Sequence, residues 1–505
     1  MSRFNLIDEK WIPVRFPDGS RDELGIRDTL LRAGEIASIE DPSPLVVAAL
    51  YRFLLAVLYR ALEGPADFDN ARSLFSDGFP KDKVVQYLQE SRDRFWLFHE
   101  KYPFGQNINV PAGRTEPWTK LTAEHNATSN KVLFDHTDTK LPGSRKPEEC
   151  VRWLLATMNF SIAGGRGYYP SPSPNAMFCI ALGQNLFKTL CYNLVPYPNR
   201  FAMEGDSALW EREPAALPLT TPKRLSSGYA DLYTWPARFV LFEAKTDCEV
   251  SKMGFVAGYG FDNSIKSLDP MQPHREDRDN GLLPIQFKLN RGTWRDFDSL
   301  LPGENTLAPA TVQNAFRLAG KRAKELPKSV LVLGLKYAPP NANVDFWRME
   351  SFALPTALAG DRFIRSDIKR ILEDAEETHN ALWAACRAYA RNILSQGDRK
   401  PEKKDIQGFL DQMPVSAWYW STLESRFHEI LQDYTIDRNP DDIRWEWLKH
   451  VRDTLRDAWG KLSESVPMGD AWTIRALVKA ETTVRKQLAT LSEVIAEIEP
   501  EREAV

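Results

Sequence analysis

The sequence is poor in cysteine and lacks the spacings that cysteine chemistry requires. Five cysteines occur in 505 residues, widely separated and without a Cys-x-x-Cys pair. These spacings exclude a disulfide framework and a cysteine zinc knuckle, so we expect reduced thiols that lie mostly in the core. They are Cys150, Cys179, Cys191, Cys248 and Cys386. The first residues also lack the apolar stretch of a signal peptide, and we therefore expect a cytoplasmic protein.

Neither sign of charge is in large excess. Lys and Arg number 65 against 69 Asp and Glu, for a net charge of -4. This balance excludes a small basic protein that coats nucleic acid, so any contact with DNA must come from local loops. Hydrophobic residues make up 43% and charged residues 27%, as in ordinary globular proteins. A chain of this length is expected to form two or three domains.

Long apolar runs are also scarce. The one long segment, from Leu45 to Leu62, carries Arg52 and Arg60 at a helical spacing. We interpret it as a buried core helix rather than a membrane span.

The first 360 residues predict a mixed α/β body with long loops. Residues 11–14 and 23–26 predict two strands of a hairpin, joined by a turn at Pro17-Asp18-Gly19. A helical region follows. From about residue 100 the sequence is rich in Pro, Gly and Asn, with short strand-like runs such as 238–243 and 329–335.

Glycine becomes sparse beyond about residue 361, and apolar residues there recur at helical spacing. Four segments show this pattern, with helix-stopping residues between them: 363–396, 403–434, 440–464 and 470–498. Short connections favour an up-down four-helix bundle. We therefore predict an α+β protein with a mixed α/β body over 1–360 and a four-helix bundle over 361–505.

Recognisable catalytic motifs are missing from the sequence. No Gly-Lys-Ser/Thr, His-Glu-x-x-His or Gly-x-Ser-x-Gly occurs. Asp135, His136 and Asp138 are a weak exception, because two carboxylates and an imidazole are ligands that a metal-dependent nuclease uses. Such clusters are also common in solvated loops.

The segment 163–174 is the densest stretch of special backbone in the chain. Gly164, Gly165 and Gly167 fall within four residues, interrupted by Arg166 and followed by Tyr168. Glycines let backbone N–H groups approach a phosphate or a groove edge, while the arginine adds charge and the tyrosine a stacking face. A plain connecting loop is the alternative.

Two further loops carry polar side chains that suit nucleic acid. The turn-rich segment 269–281 is expected to place His274, Arg275 and Arg278 in a loop, although acidic neighbours offset their charge. Residues 337–343 predict a hairpin tip with Asn341, which can reach base edges or simply satisfy a turn.

Together these motifs resemble the CasA family, the large subunit of the type I-E CRISPR surveillance complex called Cascade. The similarity runs in family order over nearly the whole chain, and the opening Asp-x-x-Trp-Ile-Pro-Val is the most specific match. The matching segments are 4–14, 130–136, 164–167, 283–297 and 334–348. The helical C-terminal region matches as well.

The resemblance implies roles for particular residues. It implies that a loop binds the minor groove of the flanking motif called the PAM, through Gly164, Gly165, Arg166 and Gly167. It implies that a second segment contacts the 5′ handle of the guide RNA, through Asn130, Phe134 and His136. Asn341 stands where the family carries a glutamine wedge. A basic finger of the family matches 274–278, where lysine is missing and Arg275 or Arg278 must substitute.

The resemblance further implies a non-catalytic protein without metal or cofactor, active in antiviral defence. Its partners would be the other Cascade subunits, the guide RNA, PAM-containing double-stranded DNA and a helicase-nuclease that is recruited after R-loop formation. Two alternatives stay open: a metal-dependent nuclease at Asp135, His136 and Asp138, and a scaffold that contacts protein only.

Overall fold

A computed structural model provides the structure of the protein. It describes residues 3–113, 115–125, 143–164, 167–244, 248–262, 269–279, 281–302, 307–338, 344–359, 364–395, 400–435, 438–466 and 469–499. The chain forms two compact units. Unit 1 comprises residues 1–289, 304–320 and 324–351, and unit 2 comprises 290–303, 321–323 and 352–505.

Strands and helices are both well represented, as predicted for an α+β protein. The strands are β1 (Arg3–Asn5), β2 (Ile12–Arg15), β3 (Arg21–Leu24), β4 (Ser38–Ile39), β5 (Trp96–Phe98), β6 (Thr115–Pro117), β7 (Phe178–Leu182), β8 (Lys223–Arg224), β9 (Arg238–Ala244), β10 (Val250–Ala257), β11 (Gly260–Phe261), β12 (His274–Asp277), β13 (Gly281–Pro284), β14 (Ser329–Tyr337) and β15 (Val344–Ala353). The helices are α1 (Ile26–Leu31), α2 (Pro44–Leu62), α3 (Phe68–Asp77), α4 (Lys81–Glu90), α5 (Pro147–Phe160), α6 (Leu186–Asn193), α7 (Arg200–Glu204), α8 (Tyr229–Tyr233), α9 (Ala310–Ala319), α10 (Ile364–Ser395), α11 (Lys403–Asp411), α12 (Val415–Asp433), α13 (Pro440–Ser465) and α14 (Ala471–Glu497).

The predicted N-terminal hairpin is confirmed. Strands β2 and β3 pair antiparallel with Val14 opposite Asp22, and β4 pairs on the other edge of β2. Gly19 adopts a φ of +86° in the connecting turn, a conformation that glycine reaches without strain. Trp11 is fully buried behind the hairpin and donates its indole N–H to the Leu6 carbonyl at 2.9 Å.

Helix α2 is the central helix of unit 1, as its apolar sequence predicts. It begins at Ser43, whose hydroxyl accepts a hydrogen bond from the Val46 N–H at 3.2 Å. The helix is long and apolar enough to cross a membrane, but 94% of its apolar stretch is buried inside the protein. Arg52 interrupts this stretch and pairs with Asp269 at 2.8 Å, with both side chains buried. Its guanidinium carbon also lies 4.2 Å from the Tyr233 ring.

Unit 1 contains several small sheets. The first has the order β6-β10-β9, and the second has the order β15-β14-β7. The strand-like runs predicted at 238–243 and 329–335 are thus confirmed, and β14 and β15 are neighbours as the predicted hairpin requires. Four of the five cysteines are buried in the fold and Cys248 is half-buried, with all five thiols free.

The segment 269–281 differs from the loop that the sequence predicts. Strand β12 pairs antiparallel with β13, with Arg275 opposite Leu283, so His274 and Arg275 lie in a strand. Arg278 lies in the turn that follows. The Asn-Gly at 280–281 is the typical hairpin signal that explains this pairing, and Gly281 has a φ of +71°.

Helices dominate unit 2, with one difference from the predicted four segments. The second predicted helix is divided into α11 and α12, because Pro414 precedes Val415 and has no N–H to continue the helical hydrogen bonds. Unit 2 also draws on residues well before 361. Trp294 is buried against Phe427 at 5.0 Å between ring centroids, and Phe297 lies 5.4 Å from Phe352.

Candidate nucleic-acid interface

The predicted glycine loop lies within a closed loop that we call the glycine segment, residues 161–175. It starts where α5 ends, because the Ser161 hydroxyl donates to the Thr157 carbonyl at 2.7 Å. The neck is closed by Ser171, whose hydroxyl accepts from the Ser161 N–H at 3.0 Å and donates to the Met158 carbonyl at 2.9 Å. The Ser171 N–H also donates to the Ser161 carbonyl at 2.9 Å. Ser161 and Ser171, which lie on either side of the glycines, are therefore tied together.

Arg238, at the start of β9, holds the glycine segment from inside. Its guanidinium donates to the Tyr169 carbonyl at 2.6 Å and to the Ile162 carbonyl at 2.5 Å, and it lies 5.0 Å from the centre of the Tyr168 ring. Burial lowers the pKa of Arg238 to about 10, against the opposing effect of Tyr168. Among the described residues no carboxylate pairs with it, so backbone carbonyls satisfy this buried cation.

Two of the four predicted loop residues are described, and both lie between the carbonyls that Arg238 holds. The Gly164 N–H donates to the Tyr168 carbonyl at 3.3 Å, which folds the chain back on itself. Gly167 has a φ of +87° with open space where a side chain would begin. Gly165 and Arg166 lie outside the described residues.

Asn175 connects the far end of the glycine segment to β14. Its side-chain oxygen accepts from the Tyr337 N–H at 2.8 Å, and its side-chain nitrogen donates to the Tyr337 carbonyl at 3.3 Å. Close approach is possible because residue 334 is glycine: an added Cβ would stand 2.1 Å from the Ala176 carbonyl oxygen. Tyr337 ends β14, and the predicted wedge residue Asn341 follows outside the described residues.

A cavity of about 310 Å³ opens beside these contacts. Its lining combines apolar side chains with a few polar ones: Leu45, Glu116, Lys120, Leu121, Thr122, Ala123, Ala156, Thr157, Phe160, Ser161, Ile162, Gly164, Tyr168, Arg238, Phe255 and Val344. Such a mixture is typical of ligand-binding clefts.

Three segments singled out in the sequence start or end at this cavity. Gly164 belongs to the glycine loop, and Val344 is the first described residue after the hairpin tip. Thr122 and Ala123 precede residues 126–142, which lie outside the described residues together with the predicted handle contacts Asn130, Phe134 and His136. The fold thus brings together the bases of three segments that are far apart in sequence.

The fourth predicted contact, the basic finger matched to 274–278, lies in the β12–β13 hairpin and does not line this cavity. Arg275 and Arg278 are exposed, and His274 is buried, with its pKa lowered chiefly by burial. The base of the hairpin nevertheless approaches the glycine segment, since the Ser173 hydroxyl lies 3.5 Å from the Gln272 side-chain oxygen. The hairpin thus presents two exposed arginines from a base beside the predicted loop.

Sequence reasoning missed Arg238 and Asn175. Arg238 opens a strand that otherwise looks like an ordinary buried run, and Asn175 stands among prolines and serines. Their importance comes from the backbone atoms they meet, and no residue pattern marks it.

The described residues contain no group of three His, Cys, Asp or Glu side chains placed to hold a metal ion. The alternative nuclease residues Asp135, His136 and Asp138 lie outside the described residues.

The sequence and the fold are both similar to those of known proteins. Residues 5–458 match the model of the family described as CRISPR-associated protein Cse1. A CasA/Cse1 protein of Thermus thermophilus is 32% identical over 509 residues, which cover 98% of this chain and 99% of that protein. The solved structure of Thermus thermophilus CasA superposes with a TM-score of 0.82 at 30% identity, covering 97% of this chain and 100% of that one.

More distant structures share the same fold. Cse1 from Acidimicrobium ferrooxidans has a TM-score of 0.75 at 24% identity, with 99% of each chain covered. A chain of a CRISPR RNA-guided surveillance complex has a TM-score of 0.75 at 21% identity, covering 97% of this chain and 100% of that one.

The architecture and the match along the chain define a CRISPR-associated protein. More particularly, the chain belongs to the Cse1 family, whose members are also called CasA.

Proposed function

We propose that this chain is the subunit of an RNA-guided surveillance complex that recognises the PAM of target DNA and helps to open the duplex. Family membership supports this proposal, and so does the relative of this fold that belongs to a CRISPR RNA-guided surveillance complex. The observation that carries it is the cavity shared by the bases of the glycine loop, the hairpin tip and the segment after Ala123.

The glycine loop suits the minor groove. Glycines let the backbone enter a groove about 6 Å wide, where A·T and G·C pairs differ chiefly in one donor group. The positive charge of Arg166, and of Arg275 or Arg278 on the hairpin, would contact phosphates on the same side. The net charge of the chain does not favour DNA binding. The affinity for DNA would therefore depend on these local groups and decrease as the salt concentration rises.

The hairpin tip would act next. Asn341 would intrude beside the first base pairs after the PAM, and the guide RNA would then pair with the separated strand to form an R-loop. Asn130, Phe134 and His136 would contact the 5′ handle of the guide. The helical unit would contact neighbouring Cascade subunits, and a recruited helicase-nuclease would cut the target. In this role the chain itself binds without catalysis, in the cytoplasm.

The test is target binding by the reconstituted complex. Gly165→Asp adds bulk and negative charge at the groove, and we expect it to weaken binding of PAM-containing duplex about tenfold or more. Gly34→Asp is the matched control, because it places the same charge on an exposed turn of unit 1 with open space around it. Equal affinity for the Gly165→Asp and wild-type complexes would refute the role of the loop.

A second measurement addresses the two alternatives. Purified protein is incubated with target DNA and magnesium or manganese, and cleavage that disappears with Asp135→Ala would establish the nuclease. A scaffold that contacts protein only predicts unchanged duplex binding for both Gly165→Asp and Asn341→Ala.

A further inference from the structure

We propose that Asn175 and Arg238 are positioning residues that hold the glycine segment and the base of the β14–β15 hairpin as one rigid unit. They would thereby fix which base pair of a bound duplex is opened first. This inference rests on the proposed function, because it assigns the reading of DNA to the segment and the opening of DNA to the hairpin.

The Asn175 side chain couples the end of the glycine segment to β14 and resists both sliding and rotation of one relative to the other. It binds the N–H and the carbonyl of one residue, Tyr337, at 2.8 and 3.3 Å. A single hydrogen bond acts as a hinge, whereas two bonds from one planar amide fix a direction as well as a distance. Gly334 extends the contact, because it lets β14 lie directly against the Ala176 carbonyl. The hairpin base is thus aligned to the end of the glycine segment.

Arg238 fixes the other part of the unit. Its planar guanidinium bonds the carbonyls of Ile162 and Tyr169, which flank the loop on either side. Residues Ile162 and Tyr169 are therefore held against β9, which carries Arg238. Since Ser171 ties the neck and Asn175 ties the far end, each end of the glycine segment has its own attachment.

The scale of the DNA shows why such rigidity matters. Successive base pairs are about 3.4 Å apart along the duplex axis. Asn341 follows Tyr337 by four residues, a span of at most about 14 Å of extended chain. A slip of about 3.4 Å between the loop and the hairpin base would therefore direct the tip to a neighbouring base pair.

The decisive variant is Asn175→Ala in the reconstituted complex with its guide RNA. Binding is measured on a duplex that carries the PAM but no complementarity to the guide, so that it reports the loop alone. Opening is measured on a complementary target with 2-aminopurine at the first or second position after the PAM. We expect binding within about twofold of wild type and first-pair opening slowed roughly 10- to 100-fold, the effect of losing both hydrogen bonds to Tyr337.

Asn193→Ala is the matched control. Asn193 makes the same pair of bonds, at 3.1 and 2.8 Å, to the N–H and carbonyl of Ala181 in β7. Its loss is expected to lower the melting temperature without changing the ratio of opening to binding. Asn175→Asp keeps the acceptor for the Tyr337 N–H but turns a carboxylate oxygen towards the Tyr337 carbonyl. We expect it to slow opening as well, because the second bond is lost and the two oxygens repel each other.

Arg238→Lys tests the second attachment, since it keeps a cation but loses the planar fork. It is expected to weaken PAM-duplex binding and opening together.

The proposal is overturned if Asn175→Ala opens DNA at the wild-type rate, or if Asn175→Ala lowers binding and opening by the same factor. If Gly165→Asp has no effect on binding, the proposed function fails and this inference with it. If Gly165→Asp weakens binding but Asn175→Ala spares opening, only this inference fails.

Discussion

The two units of the chain differ in how their backbone N–H and carbonyl groups are hydrogen-bonded. Around the glycine segment of unit 1 the backbone is irregular, and the side chains of Arg238 and Asn175 satisfy its carbonyls and N–H groups. In unit 2 the helices satisfy their own backbone. Many polar side chains there pair with one another, as Arg444 does with Asp374 at 2.9 Å.

This difference shows where a polar substitution will do damage. An irregular backbone buried without partners is strongly unfavourable, so each side chain that supplies them supports several residues at once. A partly exposed ion pair on the side of a helix supports only itself, and water can replace it. The predictions below test this contrast in order of decreasing effect.

Removing a buried ion-pair partner from unit 1 is expected to have the largest effect. Arg52→Ala leaves Asp269 buried and uncompensated, and we expect a loss of roughly 3–5 kcal/mol in the free energy of unfolding. The same change at Arg444, whose side chain is 20% exposed, is expected to cost about 1 kcal/mol. Urea unfolding measures both, and hydrogen exchange reports which unit is affected. Equal losses of unfolding free energy in the two variants would contradict the contrast between the units.

His379 in unit 2 is a partly buried group that predicts a pH dependence. His379 lies 4.7 Å from the Trp420 ring and its Nε2 lies 2.8 Å from the Ser416 hydroxyl. Burial, assisted by Arg295 and opposed by Glu376, lowers the pKa of His379 to about 4 from 6.5.

The sign of this pH dependence is set by which state of the chain, folded or unfolded, binds the proton more readily. Between pH 6.5 and 4 the unfolded chain protonates this histidine while the folded chain keeps it neutral. Stability is therefore complete above pH 6.5 and declines as the pH falls, by about 2 kcal/mol at pH 5. His379→Gln is expected to remove this part of the decline, as measured by urea unfolding at pH 7 and pH 5. An unchanged pH profile would contradict the prediction.

Helix caps provide the smallest test. Asn439 begins α13 and accepts only the Asp441 N–H, at 3.0 Å, so Asn439→Ala is expected to cost about 1 kcal/mol. Asn185 begins α6 in unit 1, accepts the Lys188 N–H at 2.9 Å and also donates to the Gly34 carbonyl at 3.1 Å. Asn185→Ala is therefore expected to cost about twice as much. Thermal unfolding compares the two variants, and a larger loss at Asn439 would reverse the contrast.

The same contrast explains how much the sequence could predict. Helical periodicity located α10, α13 and α14 within one or two residues, and strand alternation with a Pro-Asp-Gly turn predicted the β2–β3 hairpin. The break at Pro414 was missed because the apolar pattern continues on both sides of it. The β12–β13 hairpin was missed because β12 consists of ionisable side chains, His-Arg-Glu-Asp, where apolar ones usually mark a strand.

The candidate site was predicted only in part. Glycine content pointed to the loop at 164–167, and a family resemblance supplied roles for residues outside the described part of the chain. Neither could identify Arg238 or Asn175, whose roles depend on contacts with carbonyls at residues 162, 169 and 337. Contacts between side chains and distant backbone atoms leave no periodic signal in a single sequence.

The membership of residues 290–303 in unit 2 has a consequence for how the chain is synthesised. Trp294 and Phe297 leave the ribosome before α12, so their contacts with Phe427 form only after that helix has emerged. A shortened gene that begins at residue 361 would produce helices without these rings, with apolar surface exposed to water. The helical unit thus needs residues that are encoded well before its own helices.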